Sequence, residues 1–231
     1  MSTTDATPIR RQYLDLKRKH ADCILFFRLG DFYETFDSDA ELVARELDVV
    51  LTSRAVGKDV RVPMAGVPHH AAESYIARLI ERGYRVAIAE QIGTETIDGL
   101  VPREVRRVIT PGTVIEPAML QAEAPSYLAA VITSEDEGRA AEGLYSSSAG
   151  LAYCDITTGE FAAAQLDGPL ELERELARLQ PREVLAPEAA RGQPDLHLND
   201  AQTAHTHVTP FPAYRFEHGN ARQTLLDHFK V

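Results

Sequence analysis

Residues 23–36 read CILFFRLGDFYETF. The first eight, CILFFRLG, are rich in β-forming and apolar residues, the composition of a buried strand. Gly30-Asp31 then offers a sharp turn, because glycine reaches positive φ without a Cβ clash. From Phe32 onward the residues alternate, and in extended chain every second side chain shares a face. Phe32 and Glu34 therefore point one way, and Tyr33 and Thr35 the other. If Tyr33 faces the core, Phe32 and Glu34 lie outside together.

The pattern on either side of this stretch alternates between helix and strand. IRRQYLDLKRKH (9–20) reads as a short helix. Ser38 and Glu41 match a capping box, in which the two side chains would bond backbone N–H groups at a helix start. The following ELVARELDVV sets Leu42, Val43 and Leu47 at helical spacing. VVLTSR runs into a turn at Gly57-Lys58-Asp59, and VPMAGVPHH (62–70), with its prolines and glycine, reads as a constrained loop. A helix with Ala72, Tyr75, Ile76, Leu79 and Ile80 inward should stop at Gly83, a C′ residue. YRVAIAEQIG is a strand, and EVRRVITPGTVI (104–115) is a strand entering a Pro-Gly turn. This half is expected to be a mixed α/β (α+β) domain.

A boundary is expected near 117–126, giving domains at 1–120 and 121–231. The second opens with YLAAVITS, followed by a polar, charged loop and then GLAYCDITTGEFAAAQL, which reads as a hairpin about Thr158-Gly159. LELERELARL is an amphipathic helix carrying Leu170, Leu172, Leu176 and Leu179, and EVLAP is a short strand. Pro187 to Pro212 reads as loop. The final LLDHFKV looks like a helix leading to an unfinished strand, so the chain is expected to be a fragment.

The composition is 44% hydrophobic and 26% charged, which supports a packed core. No apolar run approaches the roughly 18 residues of a membrane span, and the N-terminus lacks a secretory apolar core. Cys23 and Cys154 sit in apolar strand-like runs, as small buried hydrophobes of a reducing compartment do. A cytoplasmic location follows as the expectation. The net charge of −11 is uneven: 16 basic against 19 acidic residues through Ala124, then 8 against 16 from Pro125. Only the front half is neutral enough to carry a phosphate-binding face.

Several clusters suggest chemistry. No G-x-x-x-x-G-K-[ST] loop for nucleotide phosphates occurs. His69-His70 and the His205/His207 pair could ligate metal, but the first stands at a Pro-flanked helix start and the second in a loop without cysteine. Asp155 and Glu160 flank the second hairpin, as carboxylates of a two-metal nuclease with a ribonuclease-H-like sheet would. The plainer role for Asp155 is to bond turn amides. Arg54, Lys58 and Arg61 gather at one turn, and Arg103, Arg106 and Arg107 along one strand. Each group is a solvated face or a set of phosphate contacts. Phe32 and Glu34 likewise have two readings. They are a core ring beside a surface charge, or a wedge beside a probe. An apolar ring can enter a base stack, and a carboxylate can accept a hydrogen bond from a base edge.

GDFYETF, LTSR (51–54), PMAGVPHHAAESYIARLIERGYRVAIAEQIG (63–93), VRRVITPGT (105–113) and YCDITTGEF (153–161) occur in the order found in bacterial MutS mismatch-repair proteins, and the chain resembles the N-terminal portion of that family. The resemblance implies a mixed-sheet mismatch-recognition domain followed by a ribonuclease-H-like connector domain without nuclease activity. It places Phe32 and Glu34 in the family's Phe-X-Glu motif, the ring stacking on the mispaired base and the glutamate hydrogen-bonding it. Arg54, Arg106 and Arg107 match basic positions near the DNA backbone. The implied partners are mismatched duplex DNA, a MutL-type protein and a second MutS subunit. ATP and Mg would belong to the family's ATPase domain beyond Val231, with no cofactor in this chain.

Overall fold

Pro8 presets the φ of a first helical turn and needs no N–H partner there, and the Thr7 hydroxyl accepts a hydrogen bond from the Arg10 N–H at 3.3 Å. Helix α1 therefore runs Pro8–Lys19, with Lys17, Arg18 and Lys19 in its last turn, where cations suit the helix dipole. The computed structural model describes residues 7–57, 60–93, 96, 100–115, 119, 125–135, 147–188, 196 and 206–230. Two units divide the chain, Met1–Met119 and Leu120–Val231.

In the first unit, β1 (Ile24–Leu29) turns through Gly30-Asp31 into β2 (Phe32–Phe36), with Leu29 opposite Phe32. Helix α2 (Asp37–Leu47) leads to β3 (Thr52–Gly57) and β4 (Val60–Pro68). A 3-10 turn (His69–Ala71), α3 (Ala72–Glu81), β5 (Val86–Gln91) and β6 (Arg103–Ile109) complete the unit. The six-stranded sheet has the order β3-β4-β2-β1-β5-β6, and β1 and β5 are parallel. Tyr13 and Leu16 of α1 pack on Leu25, Phe27, Phe36, Ala87 and Ala89. Alternation turns Phe26, Tyr33, Ala65 and Val67 to the other side, and they are buried too. Asp39, Ala40, Val43 and Leu47 are the buried residues of α2, and Ala72, Ile76, Leu79 and Ile80 those of α3.

Three local expectations need correction. Helix α2 has no capping box: it begins at Asp37, directly after the strand, with Phe36 as N-cap and no side-chain cap bond. Asp37 takes φ 56° and is paired with Arg10 at 2.6 Å. VPMAGVP is strand, not loop. Prolines fit it because Pro63 is paired only with β3 and Pro68 only with β2, so each has an unpaired flank where no N–H is required. Part of Pro187–Pro212 is also strand, as given below. Gly83 does end α3, at φ 83°, with Tyr84 N–H bonded to Leu79 O at 3.0 Å and Gly83 N–H to Ile80 O at 2.9 Å. Lys58 and Asp59 lie outside the described residues, as do His205 and positions 120–124.

The second unit contains β7 (Tyr127–Glu135), β8 (Ser147–Asp155), β9 (Phe161–Leu166), α4 (Pro169–Leu179), β10 (Glu183–Pro187), β11 (His207–Phe211) and α5 (His218–Phe229). β7, β8 and β9 are antiparallel neighbours, and β10 and β11 run parallel to β7, in the order β11-β10-β7-β8-β9. This is a ribonuclease-H-like mixed sheet. Leu172, Leu176 and Leu179 of α4 pack on Val131, Leu151, Val184 and Ala186. Leu170, expected on the same face, is 61% exposed.

Candidate nucleic-acid interface

The two-residue turn at Gly30-Asp31 is held from two sides. Gly30 takes φ 59°, and the His69 N–H donates to Asp31 O at 2.8 Å, tying the turn to the end of β4. Tyr33 is 6% exposed and Phe32 is 46% exposed, so Phe32 is not a core ring. Glu34 shares the face of Phe32. Across the ladder, Phe32 stands opposite Pro68 and Glu34 opposite Gly66. A Cβ on Gly66 would lie 3.6 Å from Glu34 Cγ and 3.8 Å from Phe32 Cδ1. Glycine therefore leaves a gap between ring and carboxylate, a feature that the sequence signals only as the AGVP run.

The Tyr33 hydroxyl, on the opposite face, donates to Glu90 Oε1, and His69 packs on the ring at 5.7 Å between centroids. Burial, with the Glu90 carboxylate second, pushes the Tyr33 phenol well up, so it stays protonated and anchors β2.

Glu34 does not stand free. Arg54 Nη1 of β3 donates to its Oε2, reaching diagonally over the intervening β4. The Glu34 side chain is 14% exposed and that of Arg54 36%. Arg106 and Arg107 are elsewhere, on β6 at the far edge of the sheet from β3. Arg106 is exposed and pairs with Glu104 at 2.9 Å, and Arg107 Nη2 donates to Thr113 O at 3.3 Å. The five candidates thus form one group of three and one of two. Their neighbours among the basic clusters differ. Arg61 donates to Ser53 O at 2.7 Å. Arg103 is buried, over the Phe27 ring at 5.0 Å, donating to Arg28 O at 2.6 Å and Val101 O at 2.8 Å. It is a packing residue, not part of a solvated face, and burial lowers its pKa.

Asp155 is buried, and its Oδ1 accepts from the Thr157 hydroxyl at 2.7 Å, the Thr157 N–H at 2.9 Å and the Ser126 N–H at 3.4 Å. The Thr157 hydroxyl bond leads the causes that hold the carboxyl below its ordinary pKa. This is a turn-capping carboxylate. Glu160 is exposed and meets Asp155 through its backbone carbonyl, which accepts the Asp155 N–H at 2.9 Å. Among the described residues no three His, Cys, Asp or Glu side chains gather where they could hold a metal. No helix among them is long and apolar enough to cross a membrane.

A family model described as MutS domain I matches residues 7–118, and one described as MutS domain II matches residues 126–231. The DNA mismatch repair protein MutS of Symbiobacterium thermophilum is 48% identical over 234 residues, covering 99% of this chain and 25% of that protein. The protein of the same name from Dehalococcoides mccartyi is 46% identical over 226 residues, covering 97% and 24%. A third, from a Synechococcus species, is 45% identical over 230 residues, covering 96% and 26%. The chain spans about a quarter of the length of these relatives.

Proposed function

This chain belongs to the MutS family, with its two units matching MutS domains I and II, and on that premise we propose that the first unit recognises mispaired or unpaired bases in duplex DNA for mismatch repair. Phe32 is the wedge. The observation that carries this reading is its exposure, at 46%, on a strand whose other rings are buried, beside a carboxylate and over a glycine. Mispairs stack and pair less well than matched bases, so kinking the helix there costs less. Discrimination then comes from deformability, and one ring serves many mispairs. Glu34 accepts a hydrogen bond from a base N–H. Arg54, Arg106 and Arg107 lie near the DNA backbone.

The second unit is the connector, relaying to the ATPase domain of a longer cytoplasmic protein and helping to receive a MutL-type partner, with a second MutS subunit completing the DNA grip. ATP and Mg act in that ATPase domain.

Fluorescence anisotropy on a labelled G·T duplex and its matched control tests the wedge, in this chain and in the longer protein. Preference for G·T that vanishes in Phe32→Ala is the expected result. Preference that survives the substitution removes Phe32 from recognition.

A further inference from the structure

Arg54 touches Glu34, and that contact gives it a role different from a simple phosphate contact. The pair is monodentate, Nη1 to Oε2, and spans β4 from a β3 edge strand. Register places Arg54 opposite Val62 and Glu34 opposite Gly66, four residues further along the same strand. No side chain at Gly66 stands beside the carboxylate. The Glu34 side chain is mostly covered, next to the exposed ring of Phe32. A carboxylate in that position, unpaired, would repel an approaching phosphate backbone and lose much of its solvation.

We propose that Arg54 is a positioning residue for Glu34, a counter-ion that neutralises it in the DNA-free protein and on matched duplex, and from which Glu34 must be released to meet a mispaired base. This rests on the mismatch-recognition reading above. Against matched DNA the pair stays closed and the carboxylate causes no net repulsion. When the Phe32 ring enters a mispair, a base edge arrives beside Glu34 and offers it a new partner. The guanidinium, always charged, is then free to turn toward a phosphate. The carboxylate then has two alternative partners, the guanidinium in the protein and a base edge in the DNA, so a base with the wrong edge leaves the pair shut.

A double-mutant cycle on DNA affinity tests this, using Arg54→Ala, Glu34→Gln and the combination, on matched and G·T duplexes in the longer protein and in this chain. Arg54→Ala should weaken matched-duplex binding about tenfold when Glu34 is present. With Glu34→Gln in place the same change should cost less than about twofold, because no charge remains to neutralise. Arg54→Lys should restore most of the loss, since a charge rather than a fork is needed at a monodentate contact. An independent phosphate contact behaves differently. It costs the same in both backgrounds and lowers the slope of log K against log salt by about one, and that result overturns the proposal. In the free protein the same cycle, read as urea-unfolding equilibrium constants, should be non-additive by about fivefold. Additivity there means no pair exists in solution and also overturns it. Loss of G·T preference in Phe32→Ala tests the parent reading separately, because the cycle is scored on matched duplex. Failure of the longer protein to bind either duplex would sink both.

Discussion

At the scale of single residues, the exposed ring of β2 and the buried ring of β1 predict different costs. Phe32 has about half its surface in water, so Phe32→Ala should cost the fold no more than about 1 kcal/mol. Phe27, on the neighbouring strand and fully buried, should cost about 3–5 kcal/mol as alanine. Urea unfolding of the two variants checks the contrast, and a large loss for Phe32→Ala would mean the ring packs in solution. Gly66 gives a sharper case. Its added methyl would sit at 3.4 Å or more from Tyr33 O, Glu34 Cγ and Phe32 Cδ1, which is ordinary contact. Gly66→Ala should therefore keep or slightly raise stability, by up to about 1 kcal/mol. It should nonetheless lower G·T preference severalfold, because it fills the gap between ring and carboxylate. A variant that keeps full preference would show that the gap has no part in recognition. The shared face of Phe32 and Glu34 follows from period-2 alternation. The Arg54 contact does not, because it depends on which strand becomes the neighbour of β4.

At the scale of elements, the same limit explains what could and could not be read. Helices α1, α3 and α4 are legible because their signals are local, with apolar spacing in α3 and α4 and a Gly stop for α3. The start of α2 was misread because β2 runs straight into it, and an ion pair to α1, Arg10 to Asp37, sets a boundary that the Ser38–Glu41 spacing contradicts. β4 and β11 were missed because prolines look like breakers until the unpaired flank or the sheet edge is known. Helix α4 offers a test of how periodicity maps to burial. Leu176→Ala should cost about 2–5 kcal/mol, while Leu170→Ala, at an exposed site, should stay within about 0.5 kcal/mol. Equal losses would place α4 in a different rotation. The β8–β9 turn adds a pH dependence. Asp155 has a folded pKa below its unfolded value, so its contribution is complete above the ordinary carboxylate range and is lost as pH falls through the folded value. Asp155→Asn should flatten that acid-side fall in stability, measured by urea titration at stepped pH. An unchanged profile would mean that the turn bonds to a neutral side chain as readily.

At the scale of the whole chain, charge decides how much grip these residues can supply. The back half carries twice as many acidic as basic residues, so phosphate contacts fall to the first unit. Within it most arginines are already occupied: Arg103 is buried in the sheet, Arg61 donates to Ser53, and Arg54 faces Glu34. Arg106 is exposed on β6, with Arg107 next to it on the same strand, three strands from Phe32 in a sheet whose order no local pattern announces. On the mismatch-recognition reading, a wedge at Phe32 and a phosphate contact at Arg106, three strands or about 14 Å away at about 4.8 Å per strand, would brace a duplex at two separate points, which suits bending better than flat docking does. Phosphate contacts by Arg106 and Arg107 alone would make the salt dependence shallow. The slope of log K against log salt for this chain on matched duplex should be about −2, near −0.9 for each phosphate neutralised. Arg106→Ala should weaken matched and G·T binding by the same factor and make the slope shallower by about one, because a backbone contact carries no sequence or mispair information. Anisotropy titrations at four salt concentrations decide it. A slope of −5 or steeper would mean that other cations reach the duplex, and an Arg106→Ala effect confined to G·T would move Arg106 from grip to discrimination.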